Sequence, residues 1–463
     1  MTQKKRISHK KNNEVNLKVG LGARKVALEI VDSVLHQKIS LDECLKNSYS
    51  RESNNGSILF DYRDRNFTRL LATTMLRRHG QLTKIVSNYL KKPLPNSGQY
   101  AQLILLLGAA QLIFLKGTPH SVIDTAVELC RMQHSSMRFA GLINAVLRRI
   151  SERDPAHLLE QTNDFLNVPK WMLNRWITAY DKKTTREIVT ASLKEAALDI
   201  TVLGKSQELA NRVNGIVLPT GSVRCYGCGR INELPGYTDG QWLIQDAAAA
   251  LPARLLGKIA GRRVADICAA PGGKTAQLVS SNAHVTAIDI SEKKLLRVRE
   301  NLKRLRLSAA SYIVADAAKW SSKTMFDAIL LDAPCSATGT IRRHPDILHI
   351  KKLQDIDKLS RIQKAILENV ALKLLRPNGI LIYCTCSLEP EEGEEQIEMF
   401  LKSYKEFNRV PIYANEIAGL DECLTLKGDV RILPYHLQLS NPKLSGLDGF
   451  FISRLRKRGH YSS

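Results

Sequence analysis

The chain has 463 residues, of which 44% are hydrophobic and 24% charged, a composition typical of globular rather than disordered or collagen-like proteins. This length corresponds to roughly two to four domains. The longest nearly apolar segment, residues 101–115, is shorter than the roughly 20 residues of a membrane-spanning helix, so we expect a buried helix there. The first residues lack the apolar core of a secretory signal, and nine scattered cysteines indicate reduced thiols in a cytoplasmic protein.

Lysine and arginine exceed aspartate and glutamate by 23, and most of this excess lies near the amino terminus. Residues 1–150 carry 24 basic and 10 acidic side chains, residues 151–240 carry 11 of each, and residues 241–463 carry 33 and 24. A localised positive charge of this size favours a polyanionic partner such as nucleic acid. A generally basic protein without such a partner is the alternative that composition leaves open.

In chain order, residues 1–17 form a lysine-rich segment that we expect to be a flexible tail. From residue 18 to residue 153, apolar residues recur at intervals of three and four, which predicts an all-α bundle of five to seven helices. Residues 154–240 combine a helical segment with short strand-like runs and a glycine-rich patch. We interpret them as a small, mixed α+β connecting subdomain.

The connecting subdomain contains one Cys-x-x-Cys pair, Cys225 and Cys228. A structural zinc site needs four ligands, and no second pair lies nearby in the sequence. A redox function has no further support in the sequence either. We therefore predict no metal, and the role of this pair stays open.

Residues 241–463 alternate between strand-like and helical segments, which predicts an α/β domain with a doubly wound parallel sheet. Ligands of such sheets bind beyond the carboxyl ends of the strands, so residues at those ends are the candidates for function. The predicted strands are residues 264–268, 284–290, 312–317, 326–334, 379–386 and 450–457.

The first of these strands runs into a turn of small residues, DICAAPGGKTAQL (266–278). Small residues between a strand and a helix let the backbone approach a ligand closely. A phosphate-binding P-loop would need glycine at position 268, where Cys268 stands, and the dinucleotide pattern Gly-x-Gly-x-x-Gly is missing too. A tight turn with only a structural role is the alternative.

Carboxylates at successive strand ends argue against a purely structural turn. Asp289 ends the second predicted strand, 23 residues after Asp266, at the place where an acid usually binds ribose hydroxyls. Asp316 and Asp332 end the third and fourth strands. A single aspartate of this kind is most often a helix cap, but the series suits a nucleoside cofactor without phosphate.

Two cysteines lie at the ends of the next strands, Cys335 after the fourth and Cys386 at the fifth. Neighbouring parallel strands bring such residues to one cleft, where a thiolate can add to carbon 6 of cytosine and so make carbon 5 nucleophilic. Carbon 5 can then accept a methyl group from a sulfonium donor, and a second group assists the final elimination. Buried, inert cysteines are the alternative.

An acidic run, residues 388–398, directly follows Cys386. Carboxylates at a helix amino terminus interact favourably with the helix dipole. We expect this run to form a solvated face of the domain.

The motifs CAAPGGKT, DAPCSATG and TCS, in this order, resemble those of bacterial 16S rRNA cytosine-5 methyltransferases of the Fmu/Sun type. The helical front region resembles the RNA-binding antitermination factor NusB, so the likeness covers most of the chain. The resemblance implies a NusB-like domain over residues 18–153, a connecting subdomain over 154–240 and a Rossmann-like methyltransferase domain over 241–463. It implies S-adenosylmethionine as the cofactor and 16S rRNA as the substrate.

The same resemblance implies roles for individual residues. Cys386 would be the nucleophile, Cys335 would assist release of the methylated adduct, and Asp332 would contact both the cytosine and the cofactor. Asp289 would bind the ribose hydroxyls and Asp316 would lie beside the adenine. Cys384 has no family role and is interpreted as incidental. The methionine and adenosine side of the cofactor would be lined by Cys268, Ala269, Ala270, Pro271, Gly272, Gly273 and Lys274.

The cytosine must be single-stranded or flipped out, because carbon 6 is inaccessible inside a helix. We expect a cytoplasmic monomer that needs no metal and no membrane. The same chemistry on tRNA stays open, as does a non-catalytic RNA-binding or antitermination factor, although the complete cysteine pair disfavours the latter. A methyltransferase acting on exocyclic amino groups would carry an Asn/Asp-Pro-Pro-Tyr loop where this chain has DAPC.

Overall fold

A computed structural model describes residues 20–55, 61–309 and 311–459. The chain divides into two compact units, one ending at Asn163 and the other beginning at Asp164. The predicted flexible tail, residues 1–17, lies outside the described residues. Within the described ranges, no helix has both the length and the apolar character that crossing a membrane requires.

The first unit is helical, as predicted. Helix α5 is buried along nearly its whole length because its sequence is apolar on all sides. Gly108 allows α7 to approach it, since a Cβ there would lie 2.5 Å from Leu147 Cδ1. The helices described in this unit are α1 (Leu21–Asp32), α2 (Leu41–Asn55), α3 (Tyr62–Arg77), α4 (His79–Asn88), α5 (Gln99–Ile113), α6 (Pro119–Met132), α7 (Ala140–Ser151) and α8 (Pro155–Glu160).

The second unit starts with helix α9 (Lys170–Ser192), which is interrupted at Asp181, a residue with a φ of 64°. A small antiparallel sheet follows, with strand order β2-β3-β1-β4. Arg224 joins two of its strands by donating to both carboxylate oxygens of the buried Asp199, at 2.6 Å each. The elements are β1 (Leu198–Val202), α10 (Ser206–Arg212), β2 (Ile216–Val217), β3 (Val223–Cys225) and β4 (Trp242–Ile244).

The rest of the second unit is built on a large mixed sheet of order β10-β12-β9-β8-β5-β6-β7, with β11 paired to β12. The strands from β9 to β7 are parallel, which confirms the doubly wound α/β class, whereas β10, β11 and β12 form antiparallel pairs. The strands are β5 (Arg263–Ile267), β6 (His284–Asp289), β7 (Ser311–Val314), β8 (Phe326–Asp332), β9 (Leu375–Thr385), β10 (Phe407–Arg409), β11 (Val430–Ile432) and β12 (Phe450–Lys457).

The order in which the chain adds parallel strands to this sheet reverses at β5. β6 and β7 follow on one side of β5, and β8 and β9 follow on the other. Clefts at such switch points are where open α/β sheets bind ligands. The central strands are mostly apolar, as expected for strands buried on both faces: in β5, Val264 packs into one core cluster and Ala265 into the other. The helices of this region are α11 (Leu251–Arg254), α12 (Gly273–Ser280), α13 (Glu292–Arg304), α14 (Ile347–Ile350), α15 (Leu353–Asn369) and α16 (Glu394–Ser403).

Candidate active site

The loop between β5 and α12 leaves the sheet abruptly. Cys268 has a φ of 61°, so the strand ends at Ile267, one residue earlier than predicted. Gly272 adopts a φ of 102° and lies against α13, where a Cβ would be 3.0 Å from Val298 Cγ1. Asn301 of α13 donates to Pro271 O at 2.9 Å and holds the turn in place. The requirement for glycine is therefore steric as well as conformational.

A cavity of about 520 Å³, termed here the strand-end cavity, opens beside this loop. All seven predicted loop residues line it, together with Asp332 and Cys386. The structure thus brings together residues from the ends of β5, β8 and β9, whereas Asp289, Asp316 and Cys335 lie outside the lining. Further lining residues are Tyr237, Leu243, Ile244, Gln245, Asp246, Ala249, Asp266, Asn301, Arg304, Leu305, Thr340, His344, Asp448 and Phe450.

Asp289 and Asp316 lie at or just beyond the carboxyl ends of β6 and β7, the two strands that follow β5 in the sheet. Asp289 is the last residue of β6, and its carboxylate accepts from the backbone amides of Ser291 at 3.1 Å and Ala270 at 3.4 Å. β7 ends at Val314, and the next residue, Ala315, donates its backbone amide to Asp289 O at 3.1 Å. Asp316 follows directly. The Asp316 side chain is 42% exposed. Among the described residues only backbone amides donate to the Asp289 carboxylate, which therefore keeps acceptor capacity for ligand hydroxyls.

Lys274 and Asp332 form an ion pair in the wall of the strand-end cavity, with Nζ 2.7 Å from Oδ2. Burial by itself lowers the pKa of Lys274, but the charge and hydrogen bond of Asp332 together with the nearby Cys384 and Cys386 outweigh it, and the net pKa is raised. Cys384, opposite Asp332 in the β8–β9 register, donates to Asp332 Oδ1 at 3.6 Å. Burial, followed by the charge of Asp332, raises the pKa of Cys384 well above its ordinary value. Cys384 is therefore a protonated hydrogen-bond donor.

The Sγ atoms of Cys335 and Cys386 lie 3.5 Å apart. Cys386 follows the last residue of β9 and faces the strand-end cavity. The hydrogen bond to Cys386, followed by burial, raises the pKa of Cys335 well above its ordinary value. Cys335 is thus favoured in its protonated form. This arrangement places one thiol at the cavity and a second thiol directly behind it.

A group of buried charges supports the other side of the cavity. Arg343 donates to Asp246 Oδ2 at 2.7 Å and to Asp448 Oδ2 at 3.0 Å. Asp246 and Asp448 both line the cavity, and the sequence interpretation missed them. The only available signal was the pair Gln245-Asp246 directly after a strand, because the three charged partners are far apart in the chain.

Comparison with known proteins identifies the family to which this chain belongs. The family model for the 16S rRNA methyltransferase RsmB/F matches residues 253–456, and the model for the NusB family matches residues 21–152. The ribosomal RNA small subunit methyltransferase B of Cronobacter sakazakii is 32% identical over 403 residues, which cover 83% of this chain and 91% of that protein. Its counterpart in Yersinia enterocolitica is 34% identical over 407 residues, covering 84% and 91%.

The chain belongs to the ribosomal RNA small subunit methyltransferase B family. A crystal structure of a methyltransferase homolog protein from Pyrococcus horikoshii, 27% identical, superimposes with a TM-score of 0.53 over 65% of this chain and 99% of that chain. The family assignment confirms the resemblance inferred from the three motifs and the NusB-like front region.

In this member of the methyltransferase B family, only part of the acidic run after Cys386 forms the solvated face that we expected, since Glu395 and Glu398 are exposed. Glu389 and Glu392 are both 0% exposed. Glu389 accepts from Arg175 and Trp176 of α9, and Glu392 accepts from Ser336 and Ser387. For these two residues the expectation was wrong, because a high density of carboxylates is typical of surfaces, whereas both are buried with hydrogen-bond donors.

The Cys-x-x-Cys pair lies in the small sheet. Cys225 is buried at the end of β3 and Cys228 is partly buried. Their mutual hydrogen bond lowers the pKa of Cys228 to about 7 and, together with burial, raises that of Cys225. Among the described residues, no group of three or more His, Cys, Asp or Glu side chains is placed to hold a metal ion.

Proposed function

We propose that this chain transfers a methyl group from S-adenosylmethionine to carbon 5 of a specific cytosine in 16S rRNA, through a covalent adduct with Cys386. Membership of a family of ribosomal RNA methyltransferases supports the reaction class and the substrate. The single observation that carries the cytosine-5 chemistry is the pair of thiols, Cys335 and Cys386, 3.5 Å apart at the strand-end cavity.

The cofactor fits the residues at this end of the sheet. The backbone of residues 268–274 would line its methionine and adenosine side, Asp289 would accept from its ribose hydroxyls, and Asp316 would lie beside the adenine. The abundance of carboxylates here disfavours a ligand carrying phosphate and suits a cationic sulfonium compound. When bound, S-adenosylmethionine supplies an electrophilic methyl group.

The protein residues divide the remaining chemistry among them. The Cys386 thiolate adds to carbon 6 of the base, and the electron pair of the double bond between carbons 5 and 6 becomes available at carbon 5 for the methyl group. Asp332, held by Lys274, faces the cavity and contacts the cytosine edge. Transfer of the carbon-5 proton to a water molecule acting as base then reforms the double bond and expels Cys386 as the thiolate. The Cys335 thiol, within hydrogen-bond reach of Cys386, assists this elimination by stabilising the departing thiolate.

Substrate RNA requires further contacts, because a cytosine must leave its stack to reach Cys386. The positive charge of residues 1–150 supports phosphate binding by the NusB-like region, residues 18–153. Residues 154–240 would connect it to the methyltransferase domain, residues 241–463.

Two substitutions test the proposal. Cys386→Ala is expected to abolish methyl transfer to 16S rRNA while S-adenosylmethionine binding, measured by calorimetry, persists. Cys335→Ala is expected to accumulate a covalent RNA adduct, visible as a slowly migrating band on denaturing gels. Cys384→Ala is the matched control, because it removes a thiol from the same strand that is held against Asp332. Turnover retained in Cys386→Ala would refute the proposed mechanism.

The modified nucleotide is a separate question, answered by bisulfite sequencing of 16S rRNA and tRNA from a strain that lacks the gene. In that strain we expect one cytosine that resists bisulfite conversion in the wild type to become convertible, in 16S rRNA only. Loss of a resistant cytosine from tRNA instead would show that the same chemistry acts on tRNA. Loss from neither RNA would favour a non-catalytic RNA-binding factor.

A further inference from the structure

We infer that Glu392 is a positioning residue that holds the Cys335 and Cys386 loops at the separation needed for catalysis. The inference rests on the proposed function, since it assigns a purpose to the distance between the two thiols. Glu392 does not line the strand-end cavity and so does not contact the substrate. It acts on the cysteines through the residues that follow them.

The Glu392 carboxylate binds the next residue after each cysteine. Ser336, which follows Cys335, donates its backbone amide to Oε1 at 2.9 Å and its hydroxyl to Oε2. Ser387, which follows Cys386, donates its hydroxyl to Oε2 at 2.5 Å. One carboxylate thus receives hydrogen bonds from two loops that are 51 residues apart in the sequence. Hydrogen bonds to a charged acceptor are stronger than neutral ones, so this link is well suited to fix a distance.

Glu392 is itself firmly held. Its backbone carbonyl accepts from Tyr383 at 2.9 Å and from Thr385 at 3.2 Å, both on β9. Gln363 of α15 donates its side-chain amide to Glu392 Oε1 at 3.0 Å and to Pro334 O at 2.9 Å. All of these donors are uncharged, and the residue is completely buried, which raises the pKa of Glu392. A buried carboxylate with no cationic hydrogen-bond partner among the described residues is costly, which argues for a role beyond stability.

The neighbouring Glu389 provides a control for the Glu392 variants. It is equally buried and lies in the same turn region, but its carboxylate is bound by Arg175 and Trp176 of α9 rather than by the cysteine loops. Glu389→Gln therefore removes a comparable buried charge without changing a contact of Ser336 or Ser387 with Glu392. It separates positioning of the thiols from a general loss of stability.

The distance between the thiols can be measured without methyl transfer. In glutathione buffers, oxidised glutathione takes two electrons from the cysteine pair and leaves as two molecules of reduced glutathione while one disulfide forms. The equilibrium constant reports how favourably Cys335 and Cys386 are placed relative to each other. Peptide mapping by mass spectrometry identifies the linked cysteines, and Cys225→Ser/Cys228→Ser in all variants removes the Cys-x-x-Cys pair as a competing site of oxidation.

Glu392→Ala is expected to lower this equilibrium constant by about tenfold or more, and kcat by a similar factor, because the two loops lose their shared acceptor. Glu392→Gln keeps the shape and one acceptor oxygen, so an intermediate loss of roughly threefold is expected. KM for RNA and Kd for S-adenosylmethionine should change by less than about twofold, since Glu392 contacts neither ligand. Glu389→Gln should retain the wild-type constant.

An unchanged disulfide constant in a folded Glu392→Ala or Glu392→Gln variant would overturn the inference. A lowered constant with wild-type kcat would overturn it as well, because the separation would then not matter for catalysis. Failure of the proposed function has a different signature. It appears as full turnover in Cys386→Ala, and the disulfide constants of the Glu392 variants do not depend on that result.

Discussion

Asp266 leads to a quantitative prediction about pH. It lies within β5 in the wall of the strand-end cavity and is 0% exposed. Thr275 donates to Oδ2 at 2.5 Å, and Oδ1 has no hydrogen-bond partner among the described residues. Burial raises the pKa of Asp266 from 3.8 to about 7, with the charge of Asp332 adding to the effect, whereas Thr275 and Lys274 oppose it. The folded protein therefore holds this carboxyl group neutral under mildly acidic conditions.

The sign of the pH effect follows from proton counts. Between pH 4 and 7 the unfolded chain has lost the Asp266 proton and the folded protein retains it, so the free energy of unfolding falls as pH rises, by about 1.4 kcal/mol per pH unit. A shift of about three units destabilises the folded protein by about 4 kcal/mol above pH 7. About 3 kcal/mol of this loss falls between pH 5 and pH 8. Asp266→Asn, which is neutral at every pH, should not show it.

The assay is urea denaturation followed by tryptophan fluorescence, because all four tryptophans lie in the second unit. The stability of Asp266→Asn relative to the wild type should increase by about 3 kcal/mol from pH 5 to pH 8. Asp239→Asn, at an exposed position outside the cavity, controls for the loss of one carboxylate. The reasoning would be refuted if the stability difference between Asp266→Asn and the wild type changed by less than about 1 kcal/mol from pH 5 to pH 8.

Two further predictions concern arginines. Arg224→Met should lower the free energy of unfolding of the second unit by about 3 kcal/mol, because it removes both short hydrogen bonds from the buried Asp199 carboxylate and leaves Arg343, at 3.8 Å, as its cationic partner. The exposed Arg230→Met should cost less than about 1 kcal/mol in the same urea titration, and an equally small loss for Arg224→Met would contradict the prediction. Arg148 and Arg149 are exposed at the end of α7. Replacing both with glutamine should reduce the slope of log affinity for 16S rRNA against log salt by up to about 2 in anisotropy titrations, whereas an unchanged slope would mean that they do not contact phosphate.

Much of the fold was predictable because its patterns are local. The three- and four-residue periodicity identified the helices of the first unit, and the alternation after residue 241 identified the parallel core of the sheet. The rule that parallel strands end at one edge correctly brought Asp332 and Cys386 to a common cavity. The antiparallel arrangement of β10, β11 and β12 was not predicted, since a strand-like run carries no mark of its direction.

Other parts of the site depend on contacts between distant segments. Glu392 was assigned to a solvated face, and nothing local distinguishes it from Glu391, because its burial is caused by Ser336 and Gln363 from other parts of the chain. The Arg343 group is of the same kind, since its two carboxylate partners come from loops far away in the sequence.

The assignment of Cys386 as the nucleophile depends on the difference between three neighbouring thiols. Cys384 is turned to Asp332, whose charge favours the protonated thiol. Cys335 lies 3.5 Å from Cys386, sulfur to sulfur, and outside the cavity lining. The Lys274 ammonium interacts electrostatically with both Cys384 and Cys386, but among the three thiols Cys386 alone lines the cavity. A thiolate needs both access to the base and a cation or donor nearby, and only this position provides them together.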